Sequence, residues 1–99
     1  LWTDHETYKF SAAIYEEQGK FHLAEQDLLT AVYMVPNRMG TRAALYQFYL
    51  RTGDTTKAIQ WIQSVLHMPI KIPSQTTQRL RQQAENDLTI AQKAVTGTN

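Results

Sequence analysis

Apolar and polar positions alternate along this chain with the period of an α-helix. Between residues 4 and 18, Tyr8, Ala12 and Tyr15 recur at intervals of three or four, and charged residues lie between them. Such spacing places apolar side chains on one helical face. The same period returns in four later segments, which are separated by glycine or proline. The pattern therefore predicts an all-α chain of five helices.

Local signals mark the ends of the first two helices. Thr3 and Glu6 have the spacing of a capping box, which would open the first helix. Gly19 would close it by adopting a positive φ. The second helix is expected over about residues 22–35. It should end before Pro36, because proline disfavours helical backbone in the preceding residue.

The third and fourth helices carry similar signals. Asn37 is the expected N-cap of a third helix over about residues 38–52. Either Asp54 or Thr55 should cap the fourth helix, which is expected to run through residue 67. Each of these helices would also bury one apolar face.

Two prolines divide the fourth segment from the last one. Residues 70–74 form a proline joint, which is expected to be extended since proline breaks helices. Ser74 should cap a fifth helix over residues 75–95, and residues 96–99 are expected to fray. This helix has one narrow apolar stripe and is otherwise polar, as the end of a helical array requires.

The apolar positions also predict the buried side of each later helix. We expect Ala24 and Ala58 at the points where paired helices touch, because a small side chain permits close approach. The expected inward residues are Leu23, Ala24, Leu28, Ala31, Val32 and Val35; Leu45, Tyr46, Tyr49 and Leu50; Ala58, Ile59, Ile62, Val65 and Leu66; and Leu80, Ala84, Leu88, Ala91 and Val95.

Two parts of the chain repeat at a fixed spacing. The matching pairs lie 34 residues apart and are Tyr15 with Tyr49, Gly19 with Gly53, Ala24 with Ala58, and Ala31 with Val65. Spacing of this size is typical of helical repeat arrays. It divides the single domain expected over residues 1–99 into one repeat over 4–36, a second over 37–69, the joint and the capping helix.

Composition narrows the function only slightly. The 99 residues are 42% hydrophobic and 19% charged, as in an ordinary soluble globular domain. A net charge of +1 gives no strong field that would recruit nucleic acid or an anionic membrane surface. No apolar run approaches the roughly 20 residues needed to span a bilayer, so we expect no direct membrane insertion. No cysteine is present, so disulfides are excluded. The chain begins with Leu1 rather than Met, and we therefore expect it to be a piece of a longer protein.

The residue types that perform chemistry do not form a recognisable catalytic or cofactor-binding pattern. Among the histidines, only His22 has a potential metal ligand at helical spacing, Glu25, and such a pair is usually a surface pair. Glu16 and Glu17 point about 100° apart on a helix and cannot share a proton. Sparse basic residues (Lys71, Arg79 and Arg81) are offset by Glu85 and Asp87. We predict no catalytic residue, metal, cofactor or nucleic-acid partner.

The repeated residues resemble the tetratricopeptide repeat family. The first repeat carries this pattern in Tyr8, Ala12, Tyr15, Gly19, Phe21, Ala24, Leu28, Ala31 and Pro36, and the second in Leu45, Tyr49, Gly53, Asp54, Ala58, Ile62, Val65 and Pro69. It departs from the family at Arg42, where Trp is preferred, at Thr55, where an aromatic is preferred, and at Pro69, which comes one residue early. The resemblance implies a tetratricopeptide-like α-α superhelix of two helical hairpins plus a C-terminal capping helix.

The same resemblance implies a role in protein–protein interaction or scaffolding. The partner would be a protein, a peptide, a second copy or the rest of its own chain. A groove would be lined by the first helix of each repeat, at Glu6, Lys9, Ala13, Glu16 and Glu17 and at Gly40, Ala43, Gln47, Leu50 and Arg51. Ala13 and Gln47 stand where the carboxylate-clamping members of the family have Asn, which argues against that particular activity.

A narrower resemblance concerns the joint. Pro36-Asn37-Arg38, the stretch from Gly53 to Ala58 and the stretch from Met68 to Ser74 are similar to a tail of bacterial O-antigen ligase/polymerase-type membrane proteins. This resemblance implies an accessory domain tethered to the bacterial inner membrane through a region outside these residues. Catalysis would belong to that region.

Overall fold

Five α-helices make up the part of the chain that the computed structural model describes, residues 4–70 and 72–96. They are α1 (His5–Glu17), α2 (Phe21–Met34), α3 (Met39–Thr52), α4 (Thr55–Leu66) and α5 (Gln75–Val95). These described residues contain no β-strand. The prediction of an all-α chain with five helices is confirmed.

Two equivalent turns close α1 and α3. Gly19 and Gly53 both have positive φ, at +76° and +88°, which residues with a Cβ rarely adopt. In both turns the N–H after the glycine donates to the carbonyl of the tyrosine four residues before it, Tyr15 or Tyr49, at 2.9 Å. This bond is the long one of a Schellman motif. The repeat spacing seen in the sequence is therefore present in the backbone of both turns.

The start of α1 and the start of α3 differ from the predicted caps. Asp4 is the N-cap of α1, and its Oδ1 accepts from the Thr7 N–H at 3.0 Å. The predicted Thr3 cap lies outside the described residues. For α3 the prediction of Asn37 is wrong, because Arg38 is the N-cap and no side chain there bonds the helix. The helix thus begins one residue later, with its first amides left uncapped by side chains.

The caps predicted for α4 and α5 are confirmed. Asp54 Oδ1 accepts from the Lys57 N–H at 3.2 Å, which selects Asp54 over Thr55 as the cap of α4. Ser74 Oγ accepts from the Thr77 N–H at 3.1 Å, and the Thr77 hydroxyl accepts from the Ser74 N–H at the same distance. This reciprocal pair satisfies two amides at the start of the longest helix.

The helices pack in sequence order. α1 packs against α2 and α3 against α4, each pair joined by a short turn as in a helical hairpin. α2 and α1 also contact α3, and α5 lies against α4 and α3. One core cluster joins the first four helices through Ala12, Ala24, Leu28, Val32, Leu45, Phe48, Tyr49 and Ala58. A second contains Met39, Ala43, Tyr46, Ile62, Val65, Met68 and Ala84.

Most of the predicted inward residues are buried, with two clear exceptions. Ala24 and Ala58 are both 0% exposed, as expected for close contacts between helices. Leu23 is 40% exposed and Val95 is 55% exposed, so the prediction that they are buried is wrong. Val95 is the last residue of α5. Leu23 belongs to the first turn of α2 and points about 100° around the helix from the buried Ala24.

Arg42, at a position where the tetratricopeptide resemblance would lead us to expect Trp, connects three segments by hydrogen bonds. Its Nε donates to the Pro36 carbonyl at 3.1 Å, and its Nη1 donates to Ser64 Oγ at 2.7 Å. Pro36 follows α2 and Ser64 lies on α4. The guanidinium therefore ties the end of the first hairpin to the second one by hydrogen bonds rather than by aromatic packing.

We expect Gly53→Ala to lower the free energy of unfolding by about 1–2 kcal/mol, because left-handed backbone strains a residue with a Cβ. A Cβ at Gly53 would meet no atom within 4 Å, so the loss reports conformation and not a clash. Gly40→Ala is the matched control, since Gly40 is helical and also has open space around it. It should be neutral or stabilise by up to about 1 kcal/mol. Urea unfolding measures both, and equal effects of the two variants would contradict the left-handed turn.

Candidate binding groove and joint cleft

A shallow groove runs between α1 and α3. Its cavity volume is about 110 Å³, and its floor is formed by the small or aliphatic residues Ala12, Leu28 and Ala44. Its other lining residues are Lys9, Ala13 and Glu16 from α1, and Gln47 and Arg51 from α3. The structure thus brings together five of the residues that the sequence assigned to a groove.

A bidentate ion pair spans this groove. Arg51 Nε donates to Glu16 Oε2 at 2.8 Å, and Arg51 Nη2 donates to Glu16 Oε1 at 2.9 Å. The hydrogen bonds from Arg51 hold the pKa of Glu16 below its usual value, and they raise the pKa of Arg51. Two parallel bonds fix the relative position of the helices better than a single contact would.

The remaining predicted groove residues lie elsewhere. Ala43 is 2% exposed and packs in the core cluster that contains Ala84 of α5, so it offers no surface to a partner. Leu50 is partly buried against both core clusters. Gly40 is half-buried near the start of α3, while Glu6 and Glu17 are exposed on α1 outside the groove lining.

Ala44 is a groove residue that the sequence analysis missed. It lies three positions before Gln47 and seven before Arg51, so all three share one face of α3. Helical spacing alone could have identified it. The transfer of positions from the family selected Ala43 instead, whose face of α3 is turned toward α5.

A second polar bridge connects α2 with the other hairpin. Tyr49 Oη donates to Glu25 Oε2 at 2.6 Å, and Lys57 Nζ donates to the same oxygen at 3.1 Å. Lys57 Nζ also lies 5.6 Å from the centre of the Tyr49 ring. The tyrosine hydroxyl is the main cause of a lowered pKa of Glu25, and burial together with this carboxylate raises the pKa of Tyr49.

A third polar contact joins α3 to α5. Tyr46 is fully buried, and its Oη donates to Asp87 Oδ2 at 2.7 Å. Burial is the main cause of a raised pKa of Tyr46. Each buried tyrosine of α3 therefore has a carboxylate acceptor on a neighbouring helix, which satisfies its hydroxyl inside the core.

A larger concave region lies at the joint. Two cavities of about 440 and 510 Å³ share Asn37, Met39 and Thr77. The first is mainly apolar and is also lined by Met68, Pro69, Ile70 and Ile72. The second is also lined by Val35, Pro36 and Arg38. We call this region the joint cleft. It was missed because it forms where the loop before α3 meets the segment before α5, which are far apart in sequence.

The other chemical candidates have ordinary local contacts. His67 Nδ1 lies 2.8 Å from the Gln63 carbonyl, and His22 Nε2 lies 3.2 Å from Gln26 Nε2. Within residues 4–70 and 72–96, no group of three His, Cys, Asp or Glu residues could hold a metal ion. Of the basic residues, Arg81 donates to the Leu66 carbonyl at 3.0 Å and so closes the end of α4, and Lys71 lies outside the described residues.

Two further observations concern relationships and membranes. No helix in the part of the chain that the structure describes is both long enough and apolar enough to cross a bilayer. No protein-family model matches the chain, and no curated protein or solved structure matches it significantly.

The Glu16–Arg51 pair can be tested by a double-mutant cycle. We expect Glu16→Ala and Arg51→Ala to show a coupling energy of about 0.2–1 kcal/mol near pH 7, as for other partly exposed pairs. The swap Glu16→Arg/Arg51→Glu should recover part of the loss. Because the pKa of Glu16 is lowered in the folded state, the coupling is present above about pH 4.3 and lost as the pH falls through the lowered value. Coupling that persists at pH 2 would contradict the assignment.

Tyr49→Phe should cost about 1–3 kcal/mol of stability near neutral pH, because it removes a hydrogen bond to a carboxylate. The lowered pKa of Glu25 means that its contribution is present above about pH 4.3 and is lost at lower pH. The difference between wild type and Tyr49→Phe should therefore narrow on acidification, as measured by denaturant unfolding at several pH values. Tyr33→Phe is the control, because Tyr33 is 73% exposed and should have little effect at any pH.

Proposed function

We propose that this chain is a non-catalytic protein-interaction module of tetratricopeptide type, whose stacked hairpins bind an extended segment of a partner protein in the groove between α1 and α3. The two hairpins with equivalent glycine turns support this proposal. The adjacent placement of α1 and α3 supports it further, because these helices would line the groove of such an array.

The chemistry of the groove indicates the kind of segment it would accept. Its floor of small and aliphatic side chains suits a small apolar residue, and its rim offers Lys9, Gln47 and the outer N–H groups of Arg51 as donors. Glu16 pairs with Arg51, and Lys9 Nζ lies 3.8 Å from Glu6 Oε1 outside the groove, so both cations already have a carboxylate partner. A segment that offers hydrogen-bond acceptors beside a small apolar residue would match this arrangement.

The observation that carries the proposal is the bidentate Glu16–Arg51 pair. It bridges the two walls of the groove and determines their register before any partner arrives. A preformed groove reduces the ordering cost of binding. Because the groove is small, we expect affinity at the weak, transient end of protein interfaces.

Site-specific crosslinking tests this proposal. A photo-reactive residue in place of Gln47 should crosslink to a partner in cells, whereas the same residue in place of Gln82, which is exposed on α5, should not give that product. Equal products from both positions, or none from Gln47, would argue against the groove.

A matched pair of variants adds specificity to the crosslinking test. Ala13→Trp should fill the groove and remove the Gln47 crosslink, because Ala13 lines it. Ala94→Trp places the same bulk on an exposed position of α5 and should leave the crosslink intact. Thermal unfolding of both variants shows whether the fold is retained. If Ala13→Trp folds and still crosslinks, the partner does not occupy the groove.

The narrower resemblance to tails of membrane glycan-assembly proteins stays a prediction. It can be tested on the encoded sequence upstream of residue 1. A multi-spanning hydrophobic region there would support an accessory role in such a protein, and an encoded protein without one would end that assignment.

A further inference from the structure

Large apolar side chains are exposed on the side of the first hairpin that faces away from α3. Phe10 is 70% exposed and Ile14 is 41% exposed, and they lie one turn apart on the side of α1 opposite the buried Ala12. Leu23 on α2 is 40% exposed, and Glu17 is exposed one turn beyond Ile14. We call Phe10, Ile14, Glu17 and Leu23 the outer face.

The second hairpin shows which contacts are made by the positions equivalent to the outer face. The residues 34 positions later are Ala44, Phe48, Arg51 and Lys57. Ala44 lines the groove beside Ala12 and Leu28, and Phe48 is 2% exposed in the core cluster shared with the first hairpin. Arg51 binds Glu16, and Lys57 binds Glu25. All four equivalents of the outer face are therefore used to stack the second hairpin on the first.

The outer face requires a partner surface whose charges differ from those of the first-hairpin surface that α3 and α4 contact. Between the two hairpins, the cations Arg51 and Lys57 meet the carboxylates of Glu16 and Glu25. On the outer face the corresponding positions are Glu17 and Leu23. Among residues 4–70 and 72–96, no cationic group lies within 4.0 Å of the Glu17 carboxylate. A complementary surface must supply a cation for Glu17 and an apolar group for Leu23.

We propose that the outer face docks a helical hairpin of a partner protein. This hairpin presents small and aliphatic side chains to Phe10 and Ile14, a Lys or Arg to Glu17, and an apolar residue to Leu23. It would stack on α1 and α2 as the first hairpin stacks on α3 and α4. The site is separate from the groove, and the inference does not depend on the function proposed for the groove.

A second copy of this chain is a poorer occupant. Two outer faces in contact would bring Glu17 close to its own equivalent or leave it without a cation, which disfavours the complex. The free side of α5 matches less well, because it exposes Ile90 and Lys93 among many polar residues such as Gln82, Gln83 and Glu85, and because it is a single helix rather than a hairpin. A partner hairpin with an apolar stripe and a Lys or Arg would cover the exposed apolar side chains of the outer face and pair with Glu17.

A tandem protein tests the proposal directly. A copy of residues 3–36 is placed immediately before residue 3 of the chain, which preserves the spacing of 34 residues. The upstream copy carries Glu16→Lys and Glu25→Leu, so it presents the proposed cation and apolar group to the outer face of the original hairpin. We expect one cooperative unfolding transition and a rise in the thermal midpoint of at least about 4 °C over the 99-residue chain.

Position-matched substitutions provide the control. Phe10→Asp in the original hairpin should abolish the rise, because that residue is now between the hairpins, whereas Phe10→Asp in the upstream copy remains exposed and should not. Glu17→Lys in the original hairpin should lower the midpoint, and keeping Glu16 in the upstream copy should restore it. Separate unfolding of the added copy, or equal effects of Phe10→Asp at both places, would overturn the proposal.

Sedimentation of the unmodified chain tests the other occupant. We expect the unmodified chain to sediment as a monomer at every protein concentration tested. A dimer that Phe10→Asp dissociates would overturn the assignment to a cationic partner hairpin, because a second copy would then cover the outer face.

Discussion

The contact between the two hairpins determines the arrangement of the rest of the structure. Phe48 enters a core made by both hairpins, and the Glu16–Arg51 and Glu25–Lys57 pairs lie at its edges. The groove lies along this contact, between α1 and α3. The outer face is the equivalent surface on the other side of the first hairpin. Both proposed sites therefore depend on how one helical hairpin recognises another.

The apolar and polar parts of this contact have different roles. Full burial of a phenylalanine stabilises a fold by about 1.5–3 kcal/mol, whereas an exposed ion pair contributes at most about 1 kcal/mol. Arg51 and Lys57 keep about half of their side-chain surface exposed, so the lower range applies to their pairs. Hydrophobic burial holds the hairpins together, and the charged pairs determine which surfaces match and in which register.

Local chemistry explains which features the sequence could predict. The two turns could be predicted because Gly is favoured in left-handed backbone, which closes a helix within a few residues. In the second turn, Asp54 then caps the next helix. The burial of Ala24 and Ala58 could be predicted because a small side chain permits the close approach of two helices. The prediction of Asn37 as the cap was wrong because a good capping residue does not by itself fix where a helix starts, and α3 has Arg38 at its N-cap without a side-chain hydrogen bond.

The candidate sites were only partly predictable because they depend on which helix faces meet. The charges of the groove follow from the sequence, and helical spacing places Ala44 with Gln47 and Arg51, but the burial of Ala43 depends on the rotation of α3 between α1 and α5. The joint cleft depends on a meeting of two distant loops. No pattern within a single helix contains that information.

The two ends of the helical stack differ in the polarity of the surface that they expose. At one end, α5 presents buried Ala84 and Ala91 to the core and, apart from Ile90 and Val95, mostly polar side chains to water, while Asp87 accepts a hydrogen bond from the buried Tyr46. Covering that polar surface would require desolvating many groups, which is unfavourable unless each finds a new partner. At the other end, Phe10 and Ile14 already expose apolar area. A further helix would therefore gain more by packing on α1 than on α5.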